Sequence, residues 1–338
     1  HEKGILIIPG EAWKEGDELL IQFVDKNGEL IDSEIITLGD KKPELPVLHA
    51  SKELEITETL EFVTVKGNGF EIPFNKETGL IYNATSDGQT IIEKGPFLNL
   101  DINLNHLSGA EVRKSADKFN TSYADWEKES FAYKKKSGNI VFTLNGTYKN
   151  VCIDMQLTVL PDGRLNISYI TYGEPNGYLR EAGLAFYMPQ SISHLKWQRK
   201  GYWSVYPAGD FAGNSGNIGL YESRQAAYGK KPVQAWGDDT HNYYYWADAG
   251  TNTKNPLTQT AKGMKEYIHY YILSAGKDKA GVSVVSTDAS VACRISKRDD
   301  EQLILYINNR WDYPEIAWGN YCKALEAKPC YGEISVRF

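Results

Sequence analysis

The sequence has little cysteine and no recognisable set of metal ligands. Its four cysteines, Cys152, Cys293, Cys322 and Cys330, form no C-x-x-C pair, and no histidine lies at zinc-ligand spacing from them. A structural zinc site needs such a set, so we expect no metal. Cys322 and Cys330 flank a short segment that reads as a turn. Either a disulfide joins them or both are buried thiols.

Long helical and long apolar stretches are missing as well. The chain has only 3 methionines and few periodic Leu, Ala, Glu and Lys runs, and no apolar run reaches membrane-spanning length. No glycine pattern suits a phosphate group, and a net charge of -7 disfavours a broad nucleic-acid surface. We therefore expect no cofactor, no nucleic-acid partner and no membrane partner.

Aromatic residues, in contrast, are abundant. The 338 residues include 22 Tyr and 8 Trp, which favour strands, and glycine-containing turns recur about every ten residues between Gly67 and Gly95. Tight turns at Asn27-Gly28 and Asp162-Gly163 are typical of hairpins. This spacing predicts an all-β fold whose larger part consists of two stacked sheets. The polar residues 101–138 fit a helical turn or a long loop better than a strand.

Two domains are predicted, with a linker between them. Residues 1–45 contain three strand-like stretches, too few to bury a two-sheet core, so we interpret them as a partial β-sandwich. The chain also starts at His1 and not at Met, as a segment of a longer protein would. The charged, proline-containing stretch Asp40–Pro46 is typical of a linker. Residues 50–338 then form the large two-sheet domain.

A concentration of aromatic and basic side chains follows a predicted buried strand at Gly183–Met188. It contains Trp197, Arg199, Tyr202 and Trp203, and it reads as a strand end followed by a surface loop. Aromatic rings stack on sugars, and guanidinium groups bind hydroxyls or carboxylates, so a carbohydrate-binding role is one interpretation. In the other, Trp197 and Trp203 close the end of the sandwich core.

A series of short motifs resembles the C-terminal region of family 2 glycoside hydrolases of the β-galactosidase type. At the start, Ile8-Pro9, Trp13, Gly16-Asp17 and Asp25–Gly28 resemble the end of that family's immunoglobulin-like domain. The remaining motifs resemble its final domain; they are Phe74–Leu80, Gly95-Pro96, Asp162-Gly163, Arg180–Leu184, Trp197, Arg199, Gly201, Tyr206-Pro207 and Trp318-Gly319. The resemblance implies a galactose-mutarotase-like supersandwich after a partial immunoglobulin-like β-sandwich.

The resemblance also implies a function. The two catalytic glutamates of these enzymes lie in an upstream barrel, so no catalytic residue is expected in this chain, which would be inactive alone. It would pack on that barrel as a partner within the same polypeptide and contact a galactoside or related oligosaccharide. Trp318 matches a tryptophan that stacks on the sugar in this family, and we add Trp311 to the candidate site. In the alternative interpretation both tryptophans cap the sandwich.

Two motifs depart from the family pattern and leave the sugar preference open. Phe97–Asp101 replaces an aromatic-Trp-Arg run, and Trp197–Tyr202 replaces a Trp-Tyr-Gly-Arg-Gly-Pro phrase. The rival hypothesis is a stand-alone carbohydrate-binding module or a sugar-modifying enzyme, an epimerase or a polysaccharide lyase, on a similar sandwich. An epimerase would need a histidine facing the sugar. His269 is one candidate, although its place in an aromatic strand favours a structural role.

Overall fold

The structure is a computed structural model that describes most of the chain in segments. The described residues are 10, 13–14, 16–38, 45, 53–102, 125–148, 151–173, 178–200, 214–219, 265–277, 279–297, 302–311, 325–326 and 330–338. The chain divides into two compact units, His1–Leu45 and Pro46–Phe338. No helix within the described segments is long and apolar enough to cross a lipid bilayer.

The first unit contains an antiparallel hairpin of β1 (Glu18–Val24) and β2 (Leu30–Thr37). Gly28 takes a φ of +85°, which a residue with a Cβ rarely adopts, and the Asp25 carboxylate accepts hydrogen bonds from the backbone N–H groups of Asn27 and Glu29. The hairpin predicted at Asn27-Gly28 is therefore confirmed. The strand expected before it lies outside the described residues, and the immunoglobulin-like character of this unit stays a prediction.

The second unit contains two antiparallel sheets, each of nine strands among the described residues. The first sheet comprises β3 (Glu55–Glu58), β4 (Phe62–Lys66), β5 (Phe70–Asn75), β6 (Ile81–Ser86), β7 (Gln89–Ile102), β12 (Tyr178–Met188), β17 (Ala292–Lys297), β18 (Leu303–Trp311) and β19 (Leu325–Glu326). The second sheet comprises β8 (Trp126–Lys136), β9 (Asn139–Tyr148), β10 (Val151–Val159), β11 (Arg164–Tyr172), β13 (His194–Arg199), β14 (Ser215–Gly219), β15 (Ile268–Ser274), β16 (Gly281–Val285) and β20 (Tyr331–Arg337). The predicted all-β, two-sheet fold is confirmed.

The core of this unit lies between the two sheets. Phe74 of the first sheet stacks on Phe142 of the second with their ring centroids 3.9 Å apart, and both rings are fully buried. Burial of each such ring contributes roughly 1.5–3 kcal/mol. The backbone N–H of Leu98 also donates to the hydroxyl of buried Tyr148, 3.2 Å away, so a polar group inside the core has a partner across the sheets.

The buried strand predicted at Gly183–Met188 lies within β12, at the centre of the first sheet. Its residues from Glu181 to Phe186 are all buried, as are residues 303–308 of the neighbouring β18. A sheet with one solvated face would show alternating burial, so these central strands are covered on both faces.

The expectation of a helical turn or a long loop at residues 101–138 is wrong at both ends of that range, and residues 103–124 lie outside the described residues. Trp126–Lys136 forms β8, which pairs with β9 along its length, and β7 continues to Ile102. A register shift between Lys128 and Ser130 interrupts the alternation of inward and outward side chains. Trp126, Phe131 and Tyr133 still pack against the core, and the bulge conceals their common face in the sequence.

Candidate functional site

Arg199 stands at the end of β13, beside the start of β15. Its backbone N–H donates to the carbonyl of Asn214 at 2.8 Å, and the next N–H, of Lys200, donates to the carbonyl of Tyr267 at 2.7 Å. The register between β13 and β15 shifts between Gln198 and Arg199, so the regular pairing of the two strands is interrupted by a bulge-like irregularity at this end. The surface loop predicted to follow the Gly183–Met188 strand is wrong over His194–Arg199, because these residues form β13 and bury Leu195 and Trp197 in the core. Residues 201–213 lie outside the described residues.

Trp311 reaches the same neighbourhood from the other sheet. It is the last residue of β18, is half-buried, and meets the ring of Tyr267 edge-on, with centroids 5.2 Å apart and an interplanar angle of 71°. Since the Tyr267 carbonyl holds the backbone of Lys200, Tyr267 connects Trp311 to the end of β13. Two residues of the predicted site, Arg199 and Trp311, therefore lie around one tyrosine. We name Arg199, Glu266, Tyr267, His269 and Trp311 the β13-end cluster.

The cluster contains ionisable groups of both signs. Burial lowers the pKa of the Arg199 guanidinium, whereas the Glu266 carboxylate acts in the opposite direction. Arginine stays charged in proteins, so Arg199 offers a planar, cationic donor. Burial, followed by the positive charge of Lys200, lowers the pKa of His269 from its ordinary value of 6.5. His269 is therefore neutral at pH 7, and the cluster combines aromatic, cationic, anionic and neutral polar side chains.

Trp197 lies in the core beneath the cluster. It is fully buried on β13, and the ammonium group of buried Lys265 lies 4.6 Å from its ring centroid. Gly216 on the adjacent β14 admits the indole, because a Cβ there would lie 2.3 Å from the Trp197 ring. The interpretation that Trp197 closes the sandwich core is thus confirmed. A cation above an indole is stabilised by the ring electrons, which compensates part of the desolvation of Lys265.

The other predicted site residues, Trp318, Trp203 and Tyr202, lie outside the described residues. The structure therefore describes two of the five, and a role in sugar binding stays a prediction for all of them. Within the described segments, no group of three or more His, Cys, Asp or Glu side chains could hold a metal ion. Cys330 is buried, with its sulfur 3.3 Å from Nη1 of Arg310. Cys322 lies outside the described residues, so the disulfide between them stays a prediction.

A buried polar network next to the cluster was missed from the sequence. The Glu181 carboxylate accepts hydrogen bonds from Nε and Nη2 of Arg294, each at 2.9 Å, and from Nδ2 of Asn99 at 3.1 Å. The same Asn99 amide lies 2.9 Å from Oδ1 of Asn308, and the Arg294 guanidinium stacks 3.8 Å from the centroid of the Tyr306 ring.

This network adjoins the candidate site through the strand register. Glu181 on β12 pairs directly with Trp311 on β18. Gly183 permits the close packing of these two strands, because a Cβ there would lie 2.0 Å from the Ile307 carbonyl oxygen. The sequence offers one signal for the network, a charged residue within an apolar strand, at Glu181 and again at Arg294. Because the partners lie far apart in the chain, the sequence did not indicate which residues these charged side chains would contact.

One protein-family model is similar to part of the chain. Residues 66–230 match the family model described as the β-galactosidase small chain. This match confirms the predicted resemblance to the C-terminal module of β-galactosidase-type enzymes. No curated protein sequence matches the chain.

Several solved structures are also similar, at low identity. A glycoside hydrolase family 97 enzyme from Pseudoalteromonas sp. strain K8, in complex with acarbose, is 8% identical, with a TM-score of 0.35 over 81% of this chain and 35% of that enzyme. A galactose mutarotase related enzyme from Lactobacillus acidophilus is 11% identical, with a TM-score of 0.34 over 82% of this chain and 96% of that one. A putative aldose 1-epimerase from Escherichia coli K12 is 9% identical, with a TM-score of 0.28 over 84% and 98% of the two chains. The chain thus spans about a third of the length of the family 97 enzyme. These values are too low to carry an argument about function.

Proposed function

We propose that this chain is the non-catalytic C-terminal module of a family 2 glycoside hydrolase of the β-galactosidase type. In this proposal the module packs on the catalytic barrel of the same polypeptide and contributes aromatic residues to the rim of its sugar pocket. The observation that carries the proposal is the match of residues 66–230 to the β-galactosidase small chain.

The β13-end cluster supports the site assignment within this proposal. Trp311 is half-buried beside Tyr267, so part of its surface is open to solvent and could contact a sugar ring. Arg199 adds a charged donor for sugar hydroxyls at the same strand ends. An aromatic contact of this kind contributes on the order of 1–2 kcal/mol to binding. Trp318 is included in the proposed pocket only because it matches a tryptophan of the family that the chain resembles.

The first test measures hydrolysis of an aryl β-galactoside by the purified chain. We expect no turnover, because the proposed mechanism places both catalytic carboxylates on the barrel. Turnover that disappears when a carboxylate of this chain is replaced would contradict the proposal, and epimerisation of free galactose would favour the sugar-modifying alternative.

The second test uses the complete enzyme, with its barrel present. Trp311→Ala and Trp318→Ala should each lower kcat/KM for the galactoside about tenfold, as expected for the loss of one stacking contact. Trp13→Ala is the matched control, since Trp13 is an exposed tryptophan in the first unit. Equal effects of all three substitutions would remove Trp311 and Trp318 from the pocket.

A further inference from the structure

The outward face of the second sheet carries two exposed tyrosines side by side. Along β10, β11 and β20, alternate residues point into the core, and the residues between them face solvent. Tyr172 and Tyr331 are on the solvent side, with 45% and 60% of their surface exposed. The register pairs Tyr331 with Ile170, two residues before Tyr172 on the adjacent strand, so the tyrosines are diagonal neighbours. Such neighbours lie about 7–8 Å apart.

A carboxylate lies beside each tyrosine on the same face. The Tyr331 hydroxyl donates to Oε1 of Glu333, two residues along β20. Partial burial, followed by the nearby Asp154 carboxylate on β10, raises the pKa of the Tyr172 hydroxyl. Each exposed ring is therefore next to a hydrogen-bond acceptor.

Polar groups surround this aromatic surface. Asp154 on β10 pairs with Ile170 on β11, and Ile170 pairs with Tyr331 on β20. The half-buried Ile170 therefore lies between the Asp154 carboxylate and Tyr331. Nδ2 of Asn145 donates to Asp154, and the Ser130 hydroxyl donates to Oδ1 of Asn145 at 2.7 Å. Ring faces suit the C–H faces of a sugar, and carboxylate and amide oxygens accept hydrogen bonds from its hydroxyls. The carboxylates at the same time repel an anionic polymer.

We propose that Tyr172, Tyr331, Asp154 and Glu333 form a binding surface for a neutral glycan chain. Neighbouring exposed aromatic rings on an open sheet can contact successive sugar units, whereas a pocket encloses one. The proposal shares no residue with the β13-end cluster and is independent of the function proposed for that site. Its ligand class is an uncharged polysaccharide, and its place is the outward face of β10, β11 and β20.

Affinity electrophoresis in native gels tests the proposal directly. The purified chain is run through gels that contain galactomannan, xyloglucan or β-1,4-galactan, with polygalacturonate as the anionic counterpart. At least one neutral polymer should retard the chain, and polygalacturonate should not. Retardation by polygalacturonate alone, or by none of the four polymers, would overturn the proposal.

Single substitutions assign the binding to this surface. Tyr172→Ala and Tyr331→Ala should each weaken binding roughly three- to tenfold, the effect of losing one aromatic contact. Tyr82→Ala is the matched control, because Tyr82 on the first sheet is 44% exposed. Circular dichroism of all three variants checks that they fold. A folded Tyr172 or Tyr331 variant that binds as well as the Tyr82 variant would refute the assignment.

An exposed cysteine on the same face gives a second, independent measurement. Cys152 pairs with Tyr172 across β10 and β11 and is exposed, whereas Cys293 and Cys330 are buried. In a Cys322→Ser background, the neutral polymer that retards the chain should slow alkylation of Cys152 by iodoacetamide at least threefold. Tyr82→Ala should leave this protection unchanged. Glycan binding without protection of Cys152 would place the binding surface elsewhere.

Discussion

Replacing Arg294 by methionine should destabilise the protein by about 3–5 kcal/mol, because it leaves the Glu181 carboxylate buried without its cation. The side chains of Arg294 and Glu181 are 1% and 0% exposed, and two hydrogen bonds of 2.9 Å join them. Methionine has a similar length and fills most of the space of the arginine stem, so the expected loss reflects charge more than cavity formation.

Urea unfolding at pH 7 measures this loss, and an exposed ion pair serves as the control. Lys66 and Glu71 lie 2.8 Å apart, nearly the same separation, but their side chains are 39% and 47% exposed. Lys66→Met should therefore change stability by no more than about 1 kcal/mol. A double-mutant cycle adds Glu181→Gln and the combination Glu181→Gln with Arg294→Met.

The double-mutant cycle and the pH dependence of unfolding test whether the loss of stability comes from the unpaired Glu181 carboxylate. The double variant should be more stable than the sum of the single losses predicts, because Glu181→Gln removes the unpaired charge that Arg294→Met leaves behind. The Arg294→Met loss should also shrink at pH 5, where the isolated buried carboxyl can take up a proton. Additive losses of stability in the cycle, or a loss for Arg294→Met equal to that for Lys66→Met, would show that the buried charge is not the cause.

Three further predictions follow from the described core. Gly183→Ala should destabilise by at least about 1–3 kcal/mol in urea unfolding, because its Cβ would meet the backbone of β18 at 2.0 Å; unchanged stability would contradict that packing. Phe74→Ala should cost about 3–5 kcal/mol through loss of its stack on Phe142, and a cost below 1 kcal/mol would be inconsistent with a full core position. Because the pKa of His269 is lowered in the folded state, the unfolded chain binds the extra proton, so stability should fall as pH drops below about 6.5. His269→Gln should reduce that pH dependence, and an unchanged slope between pH 7.5 and 5.5 would refute this assignment.

Local sequence patterns predicted most of the described fold. Turn residues with left-handed backbone conformations, at Gly28 and Gly163, mark the two hairpins that were expected, since few other residues adopt those φ values. The strand β8 was missed because its bulge near Lys128 breaks the alternation on which a strand prediction depends. Such patterns extend over only a few residues, so they predict those parts of the structure that depend on neighbouring residues in the chain.

The polar network could not be predicted in the same way. Its four members, Asn99, Glu181, Arg294 and Asn308, come from β7, β12, β17 and β18, which lie far apart in the chain but side by side in the first sheet. Their contacts depend on strand order and register, and the periodicity of a single strand predicts neither of these. The same limit applies to Arg199 and Trp311, which Tyr267 brings together from two sheets.

Register also connects the buried charges to the candidate site. A slip of β17 by one residue would turn Arg294 to the opposite face of the sheet and leave two buried charges unpaired, so the ion pair opposes that slip. Glu181 is fixed by Arg294 and Asn99, and it pairs across the strands with Trp311. Trp311 in turn packs against Tyr267. The network therefore holds the end of β18 in the register that sets Trp311 beside the end of β13.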